Sequence, residues 1–87
     1  MNDVDISKRL QQFVEQQFPL ARKRGVAATT PLLTNGIIDS MGTMDLVMFM
    51  ESEFNIVVSD DDMLSNNFET LQNMTDFVHG KIANSLA

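Results

Sequence analysis

The chain contains no cysteine. A disulfide staple and a thiolate metal site are both excluded, and the composition suits a reducing cytosol. Histidine occurs once, as His79, so a serine nucleophile would have to find its base in one imidazole far along the sequence. Lys and Arg are absent between Gly25 and Gly80, where nine acids stand: Asp39, Asp45, Glu51, Glu53, Asp60, Asp61, Asp62, Glu69 and Asp76. Such a field repels a phosphate backbone, which argues against nucleic-acid binding, and it steers the chain toward basic patches on partners. No apolar run approaches the ~20 residues a membrane helix needs, so membrane insertion is not expected. The opening Met1-Asn2-Asp3-Val4-Asp5 is acidic, where a secretory signal needs a basic start and an apolar stretch. A soluble, cytoplasmic protein is the expectation.

What the chain does contain fits a single domain over residues 1–87, expected to be a monomer. A chain of this size buries only about 60–65% of the surface its unfolded form exposes, so stability is modest. Ile6, Leu10, Phe13, Val14 and Phe18 recur at three- and four-residue steps and predict an amphipathic helix over residues 3 to 18, stopped by Pro19. Residues 19 to 39 hold Pro19, Gly25, Pro31 and Gly36 and read as a long first loop, pinned by Leu32, Leu33, Ile37 and Ile38. A second helix is expected over Ser40 to Phe54. Asn55-Ile56-Val57-Val58 then crosses back through the core, Ser59 to Leu64 forms a cap and one acidic helical turn, and a last helix runs over residues 69 to 84 on Leu71, Met74, Val78 and Ile82. The fold class is all-α, a small bundle of three main helices and one short one.

The triple Asp60-Asp61-Asp62 invites a calcium-loop reading. With Asp60 at the first position, the glycine position falls on Ser65 and the terminal glutamate position on Leu71. Neither is met, so no metal site is expected.

In the second helix the apolar residues exceed what one face needs. Leu46, Val47, Met50 and Phe54 share one side, while Met41, Met44 and Met48 line another at i, i+3 and i+7, next to Asp45 and Glu51. A domain this small cannot bury both. The Leu46 side is assigned to the core, and the methionine stripe is expected to be at least partly exposed and to contact partners, a task that suits a flexible, polarizable side chain.

At the mouth of this helix lies Gly36-Ile37-Ile38-Asp39-Ser40-Met41-Gly42. Gly36 supplies a turn, the isoleucines anchor, and Ser40 is either an N-cap or a first-turn residue. An anion joined to Ser40 would sit at the positive end of the helix, where backbone N–H groups and aligned peptide dipoles favour negative charge. The geometry suits a covalent attachment point better than a catalytic centre.

These residues, read onward through Leu46-Val47-Met48 and Glu51-Ser52-Glu53-Phe54, resemble the acyl carrier protein family, in which a serine after an aspartate carries 4′-phosphopantetheine. The resemblance covers residues 32 to 82. Met41 and Gly42 stand where fatty-acid members have Leu and Asp, and the run Asp39-Ser40-Met41-Gly42-Thr43 is nearer the D-alanyl and aminoacyl carrier branch. The resemblance implies a four-helix, acyl-carrier-protein-like fold, 4′-phosphopantetheine on Ser40, and a thioester-bound acyl or aminoacyl cargo. It also implies a phosphopantetheinyl transferase, an acyl- or aminoacyl-loading ligase or synthase, and downstream acyltransferases with basic docking patches. Asp39 would then assist transferase recognition, Met41, Met44 and Met48 would give apolar docking contacts, and Asp45 and Glu51 would meet basic partner residues.

Two other classes compete. A small serine hydrolase would need His79 near Ser40, and Ile38-Asp39-Ser40-Met41-Gly42 lacks the first glycine of a nucleophile elbow, so no enzyme is expected. A Met-rich acidic helical adaptor would bind partner helices with no prosthetic group and leave Ser40 as an ordinary cap.

Overall fold

The computed structural model describes residues 2–64 and 66–86. Helix α1 spans Asp3–Gln17, and its start follows from local chemistry: the side chain of Asn2 accepts a hydrogen bond from the Asp5 N–H at 2.9 Å, and Asp3 and Asp5 place negative charge in the first turn. Its stripe of Ile6, Leu10 and Val14 is fully buried. Pro19 ends this helix but also begins another, α2, over Pro19–Arg24. The expected first loop therefore opens with a six-residue helix, because a proline at the first helical position gives up an N–H that has no intrahelical partner anyway. Phe18 is the hinge between the two and turns its ring inward.

The irregular stretch that follows is tied to the opposite end of the bundle. Leu32 donates its N–H to the Glu69 carbonyl at 2.7 Å, Gln72 donates to the Ala28 carbonyl at 2.9 Å, and Thr34 gives both its N–H and its hydroxyl to the Glu69 carboxylate. Leu32, Ile37 and Ile38 are buried, and their segment closes on itself through N–H groups of Ile37 and Ile38 that both reach the Leu32 carbonyl. Leu33, expected as a fourth pin, is instead 38% exposed. It sits in the turn that Gly36 completes at a φ of 71°, with the Gly36 N–H on the Leu33 carbonyl.

Helix α3 occupies Ser40–Phe54, the bounds the sequence predicts. It ends at Asn55, whose left-handed backbone (φ 54°) is the usual way to stop a helix without glycine. Beyond it Ile56 enters the core and Val58 packs part-buried against it while Val57 is 74% exposed, so the crossing segment contributes alternate residues rather than a continuous apolar run. Helix α4, Asp60–Leu64, is opened by a reciprocal cap: Ser59 Oγ accepts the Asp62 N–H, and the Asp62 carboxylate accepts the Ser59 N–H. A 3-10 turn at Asn66–Phe68 buries Phe68, and α5, Leu71–Leu86, begins two residues later than the apolar spacing indicates, with Thr70 Oγ1 accepting the Asn73 N–H.

Helix α5 packs chiefly against α1 and also touches α3. The core is continuous from Leu10 through Leu46 and Met50 to Met74 and Val78, all fully buried. Each such side chain contributes about 1.5–3 kcal/mol relative to exposure. The stacked rings of Phe13 and Phe49, 4.2 Å apart, join α1 to α3 at the edge of that core. The result is the all-α class expected, with a second short helix added to it. Among the described residues no helix is long and apolar enough to cross a membrane.

Candidate functional site

The first turn of α3 is where the sequence-derived candidates converge. Asp39 is extended (φ −96°, ψ −178°) and is the N-cap: its Oδ1 accepts the Gly42 N–H at 2.7 Å and its carbonyl accepts the Thr43 N–H and hydroxyl. Ser40 is thereby the first helical residue, not the cap. It is exposed, and among the described residues its hydroxyl has no hydrogen-bond partner. By helix geometry the N–H groups of Ser40 and Met41 also lack a carbonyl partner within the helix. An exposed hydroxyl thus stands beside open N–H donors at the positive pole of a helix, a setting that favours an anion and disfavours a metal cation.

What fixes this turn in place is buried. Ile38, two residues before Ser40, is only 1% exposed, and Gly42, two residues after it, lies under the Phe18 ring and the Ile38 side chain. The serine is therefore carried outward on a backbone held at both sides.

Along the helix, Met41, Met44 and Met48 are 78%, 50% and 66% exposed, so the stripe faces outward while Leu46, Val47, Met50 and Phe54 face the core. The acids beside it differ in kind. Asp45 is exposed, whereas Glu51 is half-buried and its Oε2 accepts the Val58 N–H at 3.0 Å. Glu51 therefore holds the α3–α4 connection as well as presenting charge. Glu53 pairs with Arg9 at 2.6 Å and Asp62 with Lys81 at 2.8 Å. The central acids, which have no basic neighbours in sequence, thus acquire two from the terminal helices. Lys81 and the Ser59 N–H hold the Asp62 carboxyl below the usual carboxylate range.

His79 is exposed on α5 and faces Asp3 at 3.6 Å, on the seam with α1. Asp60 and Asp61 are exposed in the first turn of α4, and no group of three or more His, Asp or Glu among the described residues could hold a metal ion. The cap role of Asp39 and the contact of Gly42 with Phe18 are the site features that sequence reading did not assign. The Asp39-x-x-Gly42 spacing carries the signal for the first, and nothing local carries the second.

No family model matches the chain. It is 32% identical over 80 residues to an acyl carrier protein of Cyanidium caldarium, covering 88% of this chain and 91% of that one. It is 30% identical over 73 residues to a probable acyl carrier protein, PigG, of a Serratia species, covering 84% of each. With an acyl carrier protein of Guillardia theta it shares 29% over 83 residues, 95% of this chain and 99% of the relative. The chain belongs to the acyl carrier protein family. That family has a carrying rather than a catalytic role, a phosphopantetheine prosthetic group in general, and dealings with synthases and transferases in general.

Proposed function

We propose that this chain is a cytoplasmic carrier esterified on Ser40 with 4′-phosphopantetheine. In the loading step Ser40 Oγ bonds to the phosphorus of coenzyme A next to the pantetheine, its proton passes to a base on the phosphopantetheinyl transferase, and adenosine 3′,5′-bisphosphate leaves. When bound, the group would supply a terminal thiol able to hold an acyl or aminoacyl group as a thioester for fatty-acid, polyketide, nonribosomal-peptide or D-alanyl transfer. The single observation that supports this reading is the exposed Ser40 hydroxyl at the first position of α3 in a chain of this family.

The protein's own residues have simpler tasks. Asp39 shapes the turn, and the N–H groups of Ser40 and Met41 favour the linking phosphate. Met41, Met44 and Met48 offer apolar contacts to loading ligases, synthases and acyltransferases, and Asp45 and Glu51 offer charge to their basic patches. Contacts of this kind bury little area and are steered by charge, so partners come and go quickly.

Intact-mass measurement after co-expression with a broad-specificity transferase is the test. The carrier gains one phosphopantetheine and Ser40→Ala gains none. An unmodified chain that nevertheless binds amphipathic helices would favour the Met-rich adaptor instead.

A further inference from the structure

An open groove of about 460 Å³ runs along the α1–α2 corner and ends at the first turn of α3. Its walls are Gln17, Phe18 and Leu20 on one side and Ile37, Met41 and Asp45 on the other, and both chain neighbours of Ser40, Asp39 and Met41, border it. The volume lies within the range of small-molecule sites, about 300–1,000 Å³. Leu20 and Met41, which come from different helices, are 39% and 78% exposed and lie on this one groove.

We propose that the pantetheine arm, when esterified to Ser40, lies in this external groove, against Leu20 and Met41 with Gln17 at its amides. The inference rests on the reading of Ser40 above. Three observations carry it. The groove is bordered by both chain neighbours of the attachment residue, so a group tethered there samples it at high effective concentration and needs only weak contacts to stay. The wall chemistry matches the arm: branched aliphatic carbons meet Leu20 and Met41, and the side-chain amide of Gln17 can donate to and accept from amide groups. Finally, the inward route beneath the first turn is filled, since the Phe18 ring and Ile38 close directly on Gly42. Asp45, farther along the groove wall, disfavours entry of an anion, so the part of the arm that fits there is the neutral part.

The test uses the chemistry of the chain itself. With no cysteine present, a thiol-reactive nitroxide labels only the arm of the holo-protein, whose added mass is confirmed first. Isotope-labelled protein is then compared with the nitroxide oxidised and reduced. The largest loss of amide signal is expected at Gln17, Leu20, Met41 and Asp45, and Leu20→Gln, a change at a part-exposed position whose unfolding curve serves as control, should reduce that loss. Loss centred on Met63 and Phe77, or an even halo around Ser40 that Leu20→Gln leaves unchanged, would overturn the groove. No added mass on Ser40 would instead overturn the reading of Ser40 and the groove with it.

Discussion

The Phe18 ring lies so close to Gly42 that a Cβ at position 42 would stand 2.4 Å from its Cε1 atom. The corner between α1 and α2 is thereby seated on the turn that presents Ser40. Glycine is needed there for close approach, and the position is not simply a departure from the family's acidic residue.

Gly42→Ala measures that fit. Overpacking costs about 1–3 kcal/mol and the better helix propensity of alanine returns about 1 kcal/mol, so a net loss of up to about 2 kcal/mol is expected in urea unfolding. Adding Phe18→Leu should recover part of it. A neutral or stabilised single variant would show that the ring moves aside easily.

Asp39 serves the helix and, as proposed, the transferase, and two substitutions separate these roles. Asp39→Ala removes the cap and should cost about 0.5–2 kcal/mol of stability. Asp39→Asn keeps an oxygen for the Gly42 N–H and should unfold nearly as the parent does. Slower phosphopantetheinylation of Asp39→Asn would then report charge recognition alone, and an unchanged rate would assign Asp39 to the cap only.

Docking charge is best probed at Asp45, because Glu51 also accepts the Val58 N–H. Asp45→Lys should slow loading by partner enzymes, with the deficit shrinking as salt rises, while helicity stays intact. For Glu51 the suitable change is Gln, which keeps the acceptor. Loading rates that do not respond to Asp45→Lys at low salt would remove the acidic face from the account.

Asp62 makes a prediction about acid. Its carboxyl is held below the ordinary range by Lys81 and the Ser59 N–H, so its stabilising contribution is full above the unfolded carboxylate value and is lost as pH falls through the lowered folded value. Urea midpoints followed from neutral pH into the acid range should therefore fall more steeply for the parent than for Asp62→Asn. Parallel curves would mean that the pair adds nothing.

How much of this the sequence discloses depends on range. The limits of α3 are legible in the apolar segment that follows Ser40 and runs to Phe54, although the cap is Asp39, and the two-sided apolar pattern separates the Leu46 face from the methionine stripe. Helix α2 was missed because Pro19 stops one helix by the same property that starts the next. Leu33 and Val57 are apolar residues turned out by neighbouring backbone geometry, which composition does not encode. The pairs Arg9–Glu53 and Lys81–Asp62 and the contact between Phe18 and Gly42 join distant segments, and only the packed bundle brings them together.

The most direct measurement is site-localised mass spectrometry of the holo-protein. Trypsin has no Lys or Arg to cut at between Arg24 and Lys81, so Gly25 to Lys81 emerges as one peptide that holds the whole site. Fragmentation is expected to place the phosphopantetheine on Ser40 and nowhere else. The same mass on Ser52 or Ser59, or a peptide that stays unmodified after transferase treatment, would contradict it.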